Sequence, residues 1–260
     1  MGTIDRYAYR SALRNVNAQE KFWFAILTMI ICVAGRSVLV SGAVFLLNGY
    51  LTVAKGGLSL KKYGKLLTIP LVFLVLGTLT VWVNLGDTPM DAFALPLGNL
   101  YLTGSVDGIR QMAKLFCIVM ASVSCLYFLS LNTPMTDIIF VLEKIHIPRL
   151  VIELMMLIYR FAFILFSTAS SIMTAQRARL GNRNLAASVR SFGKMGAGLF
   201  VKALKKSDAL YISMESRLYE GRLRVLHKVC PAKKGRIAAV GVLELALILC
   251  TALEKGYLKL

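Results

Sequence analysis

Apolar residues fall in long runs along this chain, broken by short polar or charged segments. Phe22–Gly35 is an apolar run of about 14 residues and Ser37–Ala54 one of about 18, with Arg36 between them. A helix needs about 20 apolar residues to cross a bilayer, or about 17 at the least. The pair therefore predicts a tight helical hairpin whose first member borrows length from the residues before Phe22. Leu66–Leu85 and Met112–Leu131 are clearer spans, and Ile237–Ala252 is a weaker final one with Glu244 inside it. Pro70 either kinks the third span or sits in its first turn.

Residues 150–172 are apolar too, but they hold Glu153 and Arg160. Each such charge costs about 2.5–3.5 kcal/mol near the bilayer centre. Lys144 and Arg149 precede the run, and Arg177, Arg179 and Arg183 follow it. A spanning helix would leave one of these basic clusters on the outer side. The run is therefore predicted to stay cytoplasmic, packed under the bundle or lying at the interface.

Helical spacing continues beyond it in amphipathic form. Val189, Phe192, Gly196, Leu199 and Ala203 define one apolar face, with Arg190, Lys194, Lys202 and Lys205 largely off it. Ser207 is a predicted N-cap for a further helix, in which Leu210, Met214 and Leu218 recur every fourth residue. Gly181 and Gly221 are predicted C-caps. Arg179 and Arg217 then each fall in a last helical turn, where the helix dipole favours a cation by about 0.3–1 kcal/mol.

Composition agrees with a membrane protein. The 260 residues are 57% hydrophobic and 17% charged, against about 45–50% and about 25% in soluble domains. The net charge is +18, and residues 173–236 hold +12 of it. That concentration fits the positive-inside bias of a cytoplasmic segment. It also fits a docking surface for an acidic partner. Nucleic acid is disfavoured, because the segment belongs to a membrane protein. The Lys/Arg distribution places Arg6, Arg10, Arg14 and Lys21 inside, and Lys55, Lys61, Lys62 and Lys65 inside as well. A loop at about 86–110 with Asp87, Asp91 and Asp107 lies outside. No small-residue cleavage site follows the first apolar run, so no cleavable signal is expected.

These features predict an all-α polytopic membrane bundle of about five spans, six being the alternative, with a cytoplasmic module of long amphipathic helices. The expected organisation is transmembrane helices over 1–131, the cytoplasmic module over 132–236 and a last transmembrane helix over 237–260.

Catalytic chemistry finds little support. Five scattered cysteines and two histidines, His146 and His227, give no metal spacing. GKMGAG at 193–198 is not a phosphate loop, because Leu199 and Phe200 stand where Lys and Ser/Thr are needed. No cofactor, metal or ATP is expected on this chain.

Two short segments carry a resemblance. Ala178-Arg179-Leu180 and Ser216-Arg217-Leu218 resemble the paired Ala-Arg-Gly motifs of the T components of energy-coupling factor transporters, with Leu for Gly in both and Ser for Ala in the second. IDRYAYRSALRNVNAQEK, NTPMTDIIFVLEKIHIPRLVIELMMLIYRF and RLYEGRLRVL are similar to the cobalt branch of that family, CbiQ. Gly181, Tyr219, Glu220 and Gly221 support the two motifs. The resemblance implies a non-catalytic coupling subunit in a bacterial or archaeal cell membrane. Its implied partners are an ABC-type ATPase dimer, which holds ATP and Mg²⁺, and a CbiM-like substrate-binding membrane subunit, alone or with a small CbiN-like one. The implied cargo is Co²⁺, with Ni²⁺ as the alternative. A reading from another class is a basic membrane protein that docks anionic lipid or a ribosome. A membrane enzyme would need an ionisable cluster at one depth, which the sequence does not offer.

Overall fold

The computed structural model describes residues 3–86, 93–97, 100–104, 106–219, 231 and 233–257. Helix α1 (Thr3–Arg10) leads through a 3-10 turn (Ala12–Asn15) into α2 (Ala18–Gly35). Helix α3 (Val38–Tyr50) follows, continued by a π-type turn (Leu51–Lys55), and then α4 (Leu60–Trp82). Helices α5 (Val106–Asn132), α6 (Met135–Lys144), α7 (Arg149–Ala178), α8 (Leu185–Glu215) and α9 (Lys234–Tyr257) complete the helical part. The segment between α4 and α5, expected as a plain loop, carries three short strands: β1 (Val83–Gly86), β2 (Phe93–Leu97) and β3 (Leu100–Gly104). They form an antiparallel sheet with β3 in the middle, pairing Val83 with Gly104 on one side and Leu97 with Leu100 on the other. The chain remains in the all-α class as a multi-pass membrane protein, with this small sheet as an addition.

Six of the described helices are long and apolar enough to cross a membrane: α2, α3 with its π turn, α4, α5, α7 and α9. Helix α2 begins at Ala18, so the first hairpin member does borrow length ahead of Phe22. Helix α7, which the flanking charges predict to stay cytoplasmic, qualifies by length and composition.

The chain divides into two compact units, residues 139–227 and the remainder. In the remainder, α5 is the central helix, with α1, α2, α3 and α4 packed on it and α9 packed on α2. Small residues line these seams: Ala25, Thr28, Ser41, Ala121, Ser124 and Cys125 are all buried. In lipid there is no hydrophobic drive between helices, and small side chains permit the close backbone approach that replaces it. Large apolar groups point the other way, with Phe73 81% exposed and Leu39 75% exposed.

Buried polar groups find partners both at helix caps and across helices. Arg36 ends α2 in the left-handed conformation (φ 51°), and Ser37 accepts a hydrogen bond from the Val40 amide at 3.1 Å to start α3. Asn17 caps α2 through the Gln19 amide at 2.8 Å. At that end of the bundle, the buried Lys21 ammonium donates to the carbonyl of Asn132 at 2.8 Å and of Leu13 at 3.1 Å. The Asn132 side chain accepts from Ser11 at 2.7 Å, so the end of α5 is knotted to the chain ahead of α2. Glu20 accepts from the Lys233 amide and pairs with Arg236 at 3.2 Å, which anchors the start of α9. Glu244, the acid inside the last span, is buried on α9 and faces the Thr28 hydroxyl of α2 at 3.4 Å.

Pro70 lies well inside α4, not in its first turn. It has no amide to give the Leu66 carbonyl four residues earlier. The Tyr127 hydroxyl of α5 donates to that carbonyl at 3.0 Å and takes the missing amide's place. In hydrocarbon an unsatisfied backbone carbonyl is costly, so this bond joins α4 to α5 where Pro70 leaves α4 a spare acceptor in its interior. Tyr127→Phe should lower stability by about 1 kcal/mol, read as thermal unfolding in detergent. Adding Pro70→Ala restores an intrahelical donor and should recover part of that loss. A double-mutant cycle with no coupling would remove this account.

Candidate functional site: two arginine-tipped helix ends

Residues 139–227 are built on the antiparallel pair α7 and α8. The two candidate motifs lie at opposite ends of α8. Ala178, Arg179 and Leu180 precede it, and Ser216, Arg217 and Leu218 follow it. Helix α8 is a single element of 31 residues, or about 46 Å at 1.5 Å per residue. The predicted break at Ser207 is absent: Ser207 lies within the helix, where the apolar spacing on either side of it joins without a phase change.

Each arginine stands just past a helix end and not in its last turn. Arg179 is the C-cap of α7, and Arg217 follows Ser216, the C-cap of α8. The next residue in each motif is left-handed: Leu180 has φ 58° and Leu218 has φ 56°. The amide after each of these leucines reaches back five residues. Gly181 donates to the Gln176 carbonyl at 2.8 Å and Tyr219 to the Met214 carbonyl at 3.1 Å. These are Schellman closures, which satisfy the last carbonyls of a helix. Both motifs therefore share one backbone conformation. The predicted C-cap at Gly181 is shifted by one residue, because Leu180 takes the left-handed position. Gly221 and Glu220 lie outside the described residues.

The left-handed position explains the residue type that the resembled motif has there. Left-handed backbone costs an L-residue about 1–2 kcal/mol and glycine nothing. Here leucine bears that cost while its side chain stays in solvent, 71% exposed at Leu180 and 86% at Leu218. All six motif residues are exposed.

Two different clamps hold the turns. At the first, Gln176 Nε2 donates to the Ser191 carbonyl at 2.8 Å, and the Ser191 hydroxyl donates to the Gly181 carbonyl at 2.8 Å. Gly181 is needed for space: a Cβ there would stand 2.8 Å from Ser191 Oγ and 2.9 Å from the Gln176 carbonyl. At the second, the Tyr219 hydroxyl donates to Glu153 Oε2 at 2.5 Å and ties the turn to the start of α7. This hydrogen bond, ahead of desolvation and the carboxylate's charge, pushes the Tyr219 hydroxyl above its ordinary pKa. Sequence reasoning singled out Glu153 as a charge in an apolar run but not as this partner, and it missed Gln176 and Ser191 altogether. Their contacts span 66 and 15 residues, and no local pattern encodes them.

The clamp at Ser191 also sets the roll of α8. With Ser191 turned toward α7, the expected apolar face is split: Val189, Phe192 and Gly196 are exposed, whereas Leu199 and Ala203 are half-buried. Val189 is 72% exposed and Phe192 70% exposed. Leu185, Val189, Phe192, Phe200, Leu204 and Tyr211 form an unpartnered apolar stripe along α8. An open hollow between α7 and α8 is lined by Phe161, Ile164 and Leu165 on one side and by Lys202, Lys205 and Lys206 on the other. Among the described residues no cluster of three His, Cys, Asp or Glu side chains comes together.

Together the fold and these ends define a multi-pass helical membrane protein that presents two matched arginine turns at the tips of one helix. Residues 9–227 match the family described as CbiQ, cobalt transport protein. An uncharacterized protein of Methanocaldococcus jannaschii is 30% identical over 254 residues, covering 98% of this chain and 94% of that one. A protein named as a fused cobalt transport protein CbiMQ, from Methanocorpusculum labreanum, is 30% identical over 252 residues, covering 95% of this chain and 40% of its own length. The cobalt transport protein CbiQ of Salmonella typhimurium is 28% identical over 226 residues, 85% of this chain and 98% of that one. The chain belongs to the CbiQ family of cobalt transport proteins, T components of energy-coupling factor transporters.

The turn geometry predicts opposite outcomes for neighbouring residues. Leu180→Gly removes left-handed strain but loosens the unfolded chain, for a net gain of up to about 1 kcal/mol. It should slow hydrogen exchange at the Gly181 amide, whereas Gly181→Ala should speed it.

The Tyr219 contact predicts a pH response. Its hydroxyl has a raised folded-state pKa, so the bond to Glu153 is fully present below the free-tyrosine value of about 10 and is lost as pH rises through the higher folded one. Tyrosine ring-carbon NMR should show one hydroxyl titrating late. Glu153→Gln should return it toward the others.

Proposed function

We propose that this chain is the coupling subunit of an ATP-driven cobalt importer, with Arg179 and Arg217 as its two anchors on an ATPase pair. The observation that carries the proposal is the repeat of one strained turn at both ends of a single helix. A lone arginine after a helix is ordinary, but two in the same left-handed closure, some 46 Å apart by helix length, suit a partner that offers two equivalent grooves. A planar guanidinium forms bidentate pairs with carboxylates in a partly buried groove, which an ammonium cannot do. The +12 segment around the anchors steers an acidic surface toward them.

In this reading α7 and α8 are cytoplasmic and the remaining five apolar helices span the membrane. The separation of residues 139–227 as a unit of their own supports that division, as do Glu153 and Arg160 in α7. The exposed apolar stripe of α8 is a surface for the substrate-binding membrane subunit. A CbiM-like identity for that subunit rests on the relative whose name joins CbiM and CbiQ in one chain. Cobalt as the transported ion rests on the names of the family and its relatives. The subunit itself is non-catalytic, and hydrolysis belongs to the ATPase.

The test is purification of the tagged chain from its native membranes in mild detergent, followed by mass spectrometry. The wild type should bring an ABC-type ATPase and a second small membrane protein. Arg179→Glu/Arg217→Glu should lose the ATPase alone, and Arg179→Lys/Arg217→Lys should weaken it. Full retention in the double glutamate variant would reduce both arginines to ordinary helix ends.

A further inference from the structure

The bundle has two ends of very different charge. The starts of α2, α4 and α9 gather at one of them, with Lys21, Lys61, Lys62, Lys65, Lys234 and Arg236. At the other end α2 stops, α3 and α5 begin and α9 stops. Cations are sparse there, yet three of them converge. Arg36 from the α2–α3 turn, with Arg110 and Lys114 from α5, lines an open cavity of about 720 Å³. Glu254 of α9 is on the same rim. Among the described residues it forms no ion pair with any of the three. The described side chains that line the cavity therefore carry a net charge of +2.

That arrangement is costly without an anion. Arg110 and Lys114 are four apart on one helix face, where like charges repel. The first-turn amides of α3 point their dipole at the same place. Arg110 and Lys114 flank Met112, where the apolar run of α5 begins, and so stand at one end of that span, where charged side chains meet the headgroup layer. Val38 and Leu253, exposed to 44% and 60%, give the cavity an apolar wall. A freely soluble anion needs no such wall, whereas the diester phosphate of a lipid arrives with acyl chains attached.

We propose that this cavity is a binding site for an anionic phospholipid headgroup in the leaflet opposite the basic end of the bundle. Arg36, Arg110 and Lys114 hold the phosphate, and Val38 and Leu253 take the first carbons of the chains. Glu254 opposes the bound charge and disfavours a second anion. The site does not depend on the arginine turns of α8.

The experiment uses the assembled complex in mild detergent, titrated with phosphatidylglycerol or phosphatidylcholine and read by native mass spectrometry. One phosphatidylglycerol should be retained per chain, with phosphatidylcholine roughly tenfold weaker or worse. Arg36→Gln/Arg110→Gln/Lys114→Gln should lower phosphatidylglycerol retention by about tenfold or more. Glu254→Gln should raise it several-fold, a gain that a folding defect cannot imitate. The Arg179→Glu/Arg217→Glu chain, purified without the ATPase that it loses, should still retain one phosphatidylglycerol, which separates this site from the coupling reading. Equal retention of the two lipids, displacement by glycerol phosphate at the same concentration as the lipid, or loss of a protein subunit in place of lipid in the triple variant would each overturn the proposal.

Discussion

The two hydrogen bonds that Ser191 makes back to the turn after α7 determine how α8 is rolled, and most of what the hairpin presents follows from that roll. Rotating α8 by one residue would move each side chain about 100° around the axis. Val189 and Phe192 would then face α7, and the hairpin would close on itself like a soluble helix pair. As built, Ser191 faces inward beside half-buried Met195, Leu199 and Ala203, while Leu185, Val189 and Phe192 stay exposed. Favourable burial is thereby left undone, a state that suits a component whose surface is completed by a partner.

The membrane bundle answers a different constraint. Inside hydrocarbon every backbone group has to find its partner in the protein. Regular helices do this for most of the chain, so side-chain bonds gather where regularity fails. Tyr127 serves the carbonyl stranded by Pro70, and Asn132 with Lys21 serves the ragged end of α5. The same bonds hold particular helices in register, so satisfaction of the backbone and specificity of packing come from one set of groups.

The helical class and the membrane runs were legible because apolar length is a one-dimensional signal. The helix ends beside Arg179 and Arg217 were legible too, since a glycine follows each arginine within four residues. The phase of α8 was not. A 3-4 spacing locates an apolar face but says nothing about which neighbour it meets, and that choice rests on Gln176 and Ser191. The break expected at Ser207 failed for a related reason, because a serine in a helix interior looks like a cap unless the spacing on both sides is compared. The left-handed leucines were hidden because leucine gives no local sign of a positive φ. The sheet after α4 pairs strands from a segment that looked like loop, and the order β1-β3-β2 depends on pairing that no single strand announces.

Helix α8 runs unbroken from Leu185 to Glu215 and contains no proline. It therefore works as a gauge block. Whatever engages both tips is held to one separation, and a change in the spacing of two docking grooves cannot be absorbed by stretching the helix. It has to appear as a tilt of the whole hairpin or as the release of one guanidinium. In the proposed coupling role, the rigid element turns a difference in distance between two docking grooves into a rotation.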